Sequence, residues 1–290
     1  MNEHSQQTIC QELSFSGPGL HTAGHHIIIL KPAVENTGII FRRKDATGEW
    51  QCIPAHWKYT KVLPLCTCIA VDDALHVRTI EHLMAALYAC GIDNLEIDIE
   101  GSEVPILDGS ALPFIEAINK VGVQTQSSAR TVYTVIQEHC VEEGSRYIKI
   151  EPAGMLELDL TIVLAKIGKQ RWQGVVTPAS FTQECSQART FGRLKSGLLA
   201  QLTRFQKDSI CLGANQKSAV VIVGNKAINK GGLRMPDEYI RHRVLDLVGD
   251  LMLAGGHLQG KITAVSPAHR LNHQLLTELF KNHEIDRSPR

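Results

Sequence analysis

Two predicted helices each carry a histidine on the side that faces away from their own apolar stripe. One helix covers residues 79–90 and contains His82, and the other covers residues 239–254 and contains His242. Alanines surround the first histidine, and Gly249 lies beside the second. Because small side chains let two helices approach closely, we expect these two faces to lie against each other at short range.

The second helix adds two carboxylates in register with its histidine. His242, Asp246 and Asp250 follow one another at intervals of four residues, so their side chains share one helix face. With His82, the first two of them offer a metal ion two imidazoles and one carboxylate. Three such ligands with a fourth position open are typical of a catalytic zinc site, whereas a structural site is closed by four protein ligands. A lone His-x-x-x-Asp pattern also occurs on helices that bind no metal, so the prediction depends on the surrounding residues.

Other titratable residues could transfer protons at such a centre. Glu81 directly precedes His82 and could reach the open metal position as a general base, although a first-turn glutamate often only favours the helix dipole. His269 follows a strand that is predicted to end near Val265. As an imidazolium it could protonate a leaving group or support an oxyanion, and the alternative is a histidine of a surface loop. Asp250 could orient His269 and stabilise its charge.

The composition is that of a soluble globular enzyme. Among 290 residues there are 30 Lys and Arg and 30 Asp and Glu, so no excess of positive charge favours a nucleic-acid partner. The eight cysteines are scattered without a Cys-x-x-Cys pair, which indicates a reducing cytoplasm. The N-terminal residues are polar and no apolar run is long enough to cross a bilayer. We therefore expect no signal sequence, no transmembrane segment and at most peripheral lipid contact.

A polar stretch at residues 124–130 is the best candidate for a linker between two halves of the chain. Both halves have the same predicted order of strands, a helix, a strand and a further helix. The sequence therefore predicts an α+β fold of two similar domains, residues 1–125 and 130–290. Each domain is expected to be a β-sheet layered on α-helices, with the active site at the interface between them.

Apolar periodicity places the elements of each half. In the first half it predicts strands at 25–31, 38–42, 66–71 and 95–100, and helices at 79–90 and from Pro113. In the second half it predicts strands at 133–136, 147–151, 156–163, 219–223 and 257–265, and helices at 239–254 and from about Asn272.

Three other segments have weaker signals. Asp108-Gly109-Ser110 is typical of a turn, which favours a structural role for Ser110. Cys66 lies in an apolar run and is predicted to be a small buried residue. The segment at 189–192 precedes an apolar stripe that usually belongs to a core but would suit an acyl chain if it lined a channel. This stripe comprises Leu194, Leu198, Leu202 and Phe205.

Motifs along nearly the whole chain indicate one protein family. They are Gly-Leu-His-Thr (19–22), Glu-Asn-Thr-Gly-Ile (35–39), Leu-Cys-Thr (65–67), Thr-Ile-Glu-His-Leu (79–83), Gly-Ile-Asp-Asn (91–94), Pro-Ile-Leu-Asp-Gly-Ser (105–110), Ala-Arg-Thr-Phe-Gly (188–192), Arg-His-Arg-Val-Leu-Asp-Leu-Val-Gly-Asp (241–250) and His269. With them the chain resembles the UDP-3-O-acyl-N-acetylglucosamine deacetylases, the zinc amidases that commit bacteria to lipid A synthesis.

The resemblance implies that the substrate is an acylated UDP-amino sugar, from which a zinc-bound water releases acetate. Iron could compete with zinc at a site of two histidines and one aspartate. The implied zinc ligands and catalytic residues are His82, His242 and Asp246 as ligands, Glu81 as base, His269 as acid, Asp250 as its partner and Thr190 as oxyanion donor. The candidate substrate contacts are Leu65, Cys66, Phe191 and Arg243. The resemblance also implies an inserted segment near residues 191–213 that borders the passage for the acyl chain.

The chain departs from the family pattern where the substrate is expected to bind. Arg243 replaces a lysine after the second zinc histidine, so a point charge becomes a planar fork. Ser266 replaces another lysine, Ala-Lys at 165–166 replaces a His-Pro pair, and the segment 191–212 is several residues longer. Two alternatives therefore stay open: a diverged paralogue that deacetylates another N-acetylated compound, and a catalytically silent ligand-binding relative. The presence of both Glu81 and His269 argues against the silent relative.

Overall fold

The computed structural model describes residues 5–194 and 210–289. The parts of the chain before and after residue 130 each consist of sheets packed against helices, which confirms the predicted α+β class. Within the described ranges, no strand pair joins a residue before 130 to one after it. The division into domains at residues 125 and 130 stays a prediction. None of the described helices is both long and apolar enough to cross a membrane.

The part before residue 130 is built on a five-stranded sheet. The described strands of this part of the chain are β1 (Ser5–Ile9), β2 (Leu13–Pro18), β3 (His25–Pro32), β4 (Ile39–Lys44), β5 (Trp50–Pro54), β6 (Thr60–Leu63), β7 (Cys66–Ala70), β8 (His76–Arg78), β9 (Leu95–Glu100) and β10 (Val123–Ala129). Its described helices are α1 (Glu81–Ala89), α2 (Leu112–Val121) and a single 3-10 turn at Trp57–Tyr59. The strand order is β2-β3-β9-β4-β5, and alternate residues of β3 are buried because one face of the sheet packs on the core.

The part after residue 130 has a seven-stranded sheet. The described strands of this part of the chain are β11 (Thr131–Val135), β12 (His139–Glu143), β13 (Arg146–Glu151), β14 (Leu156–Leu164), β15 (Gly168–Val175), β16 (Phe191–Arg193), β17 (Val220–Val223), β18 (Lys226–Ala227), β19 (His257–Val265) and β20 (Ile285–Pro289). Its described helices are α3 (Pro178–Glu184), α4 (Glu238–Leu251), α5 (His269–Lys281) and a 3-10 turn at Met252–Ala254. Strand β19 lies at the centre, where β13, β14 and β11 all pair with it.

Helices α1 and α4 pack against each other between the two sheets. Every residue of α1 from Glu81 to Tyr88 is buried, so this helix is covered on all sides. A Cβ atom on Gly249 of α4 would collide with the carbonyl oxygen of Glu81, which shows how closely the two backbones approach. The expectation that the two histidine faces meet at short range is confirmed.

Two predictions about local structure are wrong. The polar stretch at 124–130 is not a free linker, because most of it forms β10, which pairs antiparallel with β1. The last helix begins at His269 and not near Asn272, so His269 is its first residue and not part of a loop. The polar stretch can form β10 because the hydrogen bonds of a strand come from the main chain and do not depend on the type of side chain. The first turn of α5 has a weak apolar signal, because His269 and Asn272 are buried against Asp250, Arg270 is exposed and Leu271 is the one apolar residue.

Candidate metal centre

The three predicted metal ligands converge between α1 and α4. His82 is the second residue of α1, and His242 and Asp246 lie one turn apart on α4. Nε2 of His242 lies 3.2 Å from Oδ1 of Asp246, and Nε2 of His82 lies 3.8 Å from the same oxygen. One donor atom from each residue fits within a mutual distance of 4.8 Å, and all three side chains are buried.

The protonation of these residues suits a cation. Burial lowers the pKa of His82 to about 3 and also lowers that of His242, so both rings are neutral at neutral pH. Burial alone would raise the pKa of Asp246, but His242 and Arg243 outweigh it, and the carboxylate stays charged. Nδ1 of His242 donates to the carbonyl oxygen of Ala188 at 3.1 Å, which leaves the lone pair on Nε2.

The surroundings of Oδ1 of Asp246 favour a bound metal ion. This buried oxygen has no hydrogen-bond partner among the described residues, although it faces two imidazole nitrogens. A buried carboxylate oxygen without a partner is costly, and a divalent cation would satisfy it. Two neutral histidines and one aspartate are a donor set that zinc accepts, so the residues fit the metal.

Glu81 lies beside this cluster at the start of α1. Its Oε2 accepts the backbone N–H of Thr67 at 3.0 Å, and its Oε1 lies 3.7 Å from Nε2 of His269. Burial, with help from Asp246 and Asp250, raises the pKa of Glu81 to about 8 against the opposing effect of His269. A carboxyl group with a pKa near neutrality is suited to proton transfer.

His269 is held by Asp250 in a fully buried contact. Its Nδ1 donates to Oδ2 of Asp250 at 2.8 Å, and the Nδ2 amide of Asn272 donates to the same oxygen at 2.8 Å. Burial opposes the charge on His269, but Asp250 outweighs burial and raises the pKa of His269 to about 10. The pKa of Asp250 is lowered in turn, because His269 and His273 outweigh its burial.

Thr67, Asn272 and His273 belong to this cluster and were not among the predicted site residues. The backbone N–H of Thr67 holds Glu81, and its hydroxyl donates to Oδ1 of Asp250. Nε2 of His273 lies 3.1 Å from the Thr67 hydroxyl. Asn272 and His273 follow His269 by three and four residues, so the correct start of α5 would have placed all three on one helix face.

Arg243 and Phe191 form a wall beside the cluster. Nη1 of Arg243 donates to Oδ2 of Asp246 at 2.8 Å, and its guanidinium lies 5.0 Å from the centre of the Phe191 ring. The Phe191 ring also meets the ring of His242 edge-on, with 6.0 Å between centroids. The guanidinium thus contacts a candidate metal ligand, and its contact with the substrate stays a prediction.

Thr190 is fixed through its backbone. Its N–H donates to the carbonyl of Gly109 at 2.7 Å, and its carbonyl accepts from Val220 at 2.7 Å. Its hydroxyl has no hydrogen bond to a described residue. Gly109 itself has a φ of 86°, and a Cβ atom there would collide with the Ser218 carbonyl, so this turn requires glycine.

Leu65 and Cys66 directly precede Thr67, whose backbone N–H holds Glu81. Leu65 is 60% exposed, whereas Cys66 is buried as predicted, with its thiol 3.6 Å from Nη2 of Arg78. Burial raises the pKa of Cys66 to about 12, so the thiol stays protonated. Leu194 is exposed, and the other residues of the apolar stripe, Leu198, Leu202 and Phe205, lie outside the described residues.

Two departures from the family pattern follow neighbouring strands of the seven-stranded sheet. Lys166 lies in the turn between β14 and β15, and Ser266 directly follows β19. The N–H of Ser266 donates to the carbonyl of Thr161 on β14 at 2.7 Å. Both sequence changes therefore fall at the same end of the seven-stranded sheet.

Comparison with known proteins shows the family to which this chain belongs. The family model described as LpxC: UDP-3-O-acyl N-acetylglycosamine deacetylase matches residues 6–281. A UDP-3-O-acyl-N-acetylglucosamine deacetylase of Pseudoalteromonas translucida (strain TAC 125) is 38% identical over 281 residues, which cover 95% of this chain and 90% of that protein. A protein of the same name from Geobacter sp. (strain M21) is 42% identical over 278 residues, covering 95% and 89%. A third, from Pasteurella multocida (strain Pm70), is 35% identical over 283 residues, covering 96% and 91%. The resemblance is confirmed, and the chain belongs to the UDP-3-O-acyl N-acetylglycosamine deacetylase family.

Proposed function

We propose that this chain is a zinc-dependent deacetylase that releases acetate from UDP-3-O-acyl-N-acetylglucosamine in lipid A biosynthesis. Family membership supports the reaction and the substrate class. The observation that supports the metal is the buried Oδ1 of Asp246, which has no hydrogen-bond partner in the described part of the chain and faces Nε2 of both His82 and His242. We also infer a cytoplasmic setting, because all eight cysteines are free thiols.

His82, His242 and Asp246 are the proposed zinc ligands. A zinc ion bound there would supply a Lewis acid that polarises the acetyl carbonyl and lowers the pKa of water. Iron is the alternative occupant, since the same donor set suits both metals. The hydrogen bond from His242 to Ala188 holds that imidazole in the tautomer that a metal requires.

Glu81 is the proposed general base. The Thr67 amide holds one of its oxygens, and the other is left facing the space beside His269. The carboxylate takes a proton from the water molecule that attacks the acetyl carbon. Its raised pKa, about 8, favours acceptance of that proton near neutral pH.

His269 is the proposed general acid. Its pKa of about 10 keeps the ring protonated at neutral pH, and Asp250 on Nδ1 directs the Nε2–H toward Glu81 and the reaction space. As the amide C–N bond breaks, this proton moves to the sugar nitrogen. Acetate and a free amine are then the products, with the atoms of one water molecule shared between them.

Thr190 is the proposed donor to the oxyanion. Its hydroxyl is free of described partners, and its backbone is fixed on both sides by hydrogen bonds of 2.7 Å. It follows Ala188, which already binds His242, by two residues. Leu65, Cys66, Phe191 and Arg243 are the proposed substrate contacts.

Acetate release from the acylated and the unacylated UDP-sugar tests the proposal. Each buried methylene contributes about 0.8 kcal/mol, so a chain of roughly ten carbons bound in the transition state strengthens binding by several kcal/mol. Removal of the acyl group is therefore expected to lower kcat/KM by at least about a few hundred-fold. Equal rates would contradict the lipid A substrate and favour the diverged paralogue. Release from neither compound by the metal-loaded protein would favour the silent relative.

A further inference from the structure

A cavity lies between the two parts of the chain, away from the candidate metal centre. Its volume is about 420 Å³, and none of the proposed zinc ligands or catalytic residues lines it. The residues around it come from both sides of residue 130. They include His56, Lys58 and Asp93 on one side and Gly255, His257 and Arg287 on the other.

The cavity lies at the carboxyl-terminal ends of the two central helices. Helix α1 carries Glu81 and His82 at its start, and Asp93 in the cavity wall follows its end. Helix α4 leads into the 3-10 turn at Met252–Ala254, whose first residue also lines the cavity. A molecule bound there would touch the segments that follow both helices and would not contact the proposed zinc ligands.

The lining has an excess of positive charge. Neither Lys58 nor Arg287 has a carboxylate within ion-pair distance in the described part of the chain, and the Lys58 ammonium instead lies 5.4 Å from the centre of the Trp57 ring. Asp93 is the acidic residue of the lining, and its charge is neutralised by Arg130 at 2.8 Å. Two cations that have no carboxylate partner among the described residues therefore line a cavity whose carboxylate, Asp93, is already paired.

Two further features suit a bound anion. Nδ1 of His56 accepts the backbone N–H of Lys58 at 3.3 Å, so the proton of this neutral ring is on Nε2, where it is available to a ligand. On another wall, Asn94 donates to Gln6 at 2.8 Å, and Gln6 donates to Asn36 at 2.9 Å. These interlocked amides hold that wall rigid before any ligand arrives.

We propose that this cavity binds a small organic anion, whose phosphate or carboxylate lies between Lys58 and Arg287. The volume is larger than a bare oxyanion needs and falls in the range of ligand sites, about 300–1,000 Å³, so the ligand has a carbon body of roughly monosaccharide size. Ile40, Pro54 and Met252 offer apolar contact to that body. Because Lys58 precedes residue 125 and Arg287 follows residue 130, the ligand bridges the two predicted domains and stabilises the folded chain.

Three compounds with the same sugar ring test the proposal on the full-length, metal-loaded protein. Glucose 6-phosphate and glucuronate carry the two candidate oxyanions, and glucose is the neutral control. We expect saturable binding of at least one anion by calorimetry and a rise in Tm of a few degrees that saturates with concentration. Glucose is expected to leave Tm unchanged, and the better anion identifies the oxyanion.

A double variant, Lys58→Ala with Arg287→Ala, decides where the anion binds. We expect it to raise Kd at least about tenfold. The matched control, Lys149→Ala with Arg171→Ala, removes the same two charges from strands β13 and β15, outside the cavity, and is expected to leave Kd unchanged. No saturable binding of either anion, equal binding of glucose, or binding that survives the double variant would each overturn the proposal. None of these readouts depends on acetate release, so the proposed function is judged separately.

Discussion

The carboxylate of Asp250 accepts the Nδ1 proton of His269 at 2.8 Å, in a contact from which solvent is excluded. The other carboxylate oxygen accepts the hydroxyl of Thr67, whose backbone N–H holds Glu81. Two adjacent contacts therefore position the proposed acid and the proposed base relative to each other. They also connect a residue of β7, a residue of α4 and a residue of α5.

The first prediction concerns the pH profile of an Asp250→Asn variant. The profile of kcat/KM is expected to be bell-shaped, because the base must be deprotonated and the acid protonated. Asp250 raises the pKa of His269 to about 10, so loss of its charge lowers that pKa and moves the alkaline limb to lower pH. His269→Ala is expected to remove this limb. An unchanged limb in both variants with full metal content would refute the assignment of His269.

The second prediction separates catalysis from metal binding. Glu81→Ala is expected to lower kcat by about 10²- to 10⁴-fold and to retain stoichiometric metal, because it removes a base and no ligand. His242→Ala is expected to lose the metal itself. Steady-state rates and metal analysis of both purified variants make the comparison. Two active variants with equal metal content would show that the roles are misassigned.

The third prediction concerns removal of the metal. The ligands come from two helices that already pack through their backbones, and the site lacks the four protein ligands of a structural zinc. Chelation is therefore expected to abolish activity and to leave the far-UV circular dichroism spectrum nearly unchanged. Loss of the helical signal on chelation would mean that the metal holds the fold together.

The fourth prediction concerns Arg243, which contacts a proposed ligand. Its hydrogen bond to Asp246 orients that carboxylate, and loss of such a contact typically lowers metal affinity by about 10- to 100-fold. Arg243→Ala is expected to show this loss in a competition titration with a chromophoric chelator. Arg241→Ala is the control, because that residue of the same helix pairs with Asp237 and Glu184 instead. Equal affinities in both variants would contradict the role.

The fifth prediction concerns the spacing of the two central helices. Gly249→Ala places a methyl group against the Glu81 carbonyl, so the helices must move apart, at a cost of about 1–3 kcal/mol in the free energy of unfolding. Urea unfolding measures this loss. Gly154→Ala is the control, because a Cβ atom there meets nothing within 4 Å. A variant at Gly249 as stable as the control would mean that the close approach is not required.

The sequence by itself determined helices α1, α2, α4 and α5, fewer than half of the strands in the described part of the chain, and the candidate ligands. His242, Asp246 and Asp250 are neighbours on one helix face, and helical periodicity is a local property that a single chain reveals. The alanines and Gly249 indicated which faces meet, because close packing excludes larger side chains. Local signals were sufficient for these features.

Only the tertiary structure decided which polar groups complete the site. Thr67 and Asp250 are 183 positions apart, and the role of Thr67 depends on how β7 and α4 pack. The polar β10 was mistaken for a linker, since main-chain pairing with β1 has no side-chain signature. Hydrogen bonds between distant residues depend on the relative placement of whole elements. Periodicity reports how each element is buried, whereas the partner of a buried polar atom is set by the packing of the complete chain.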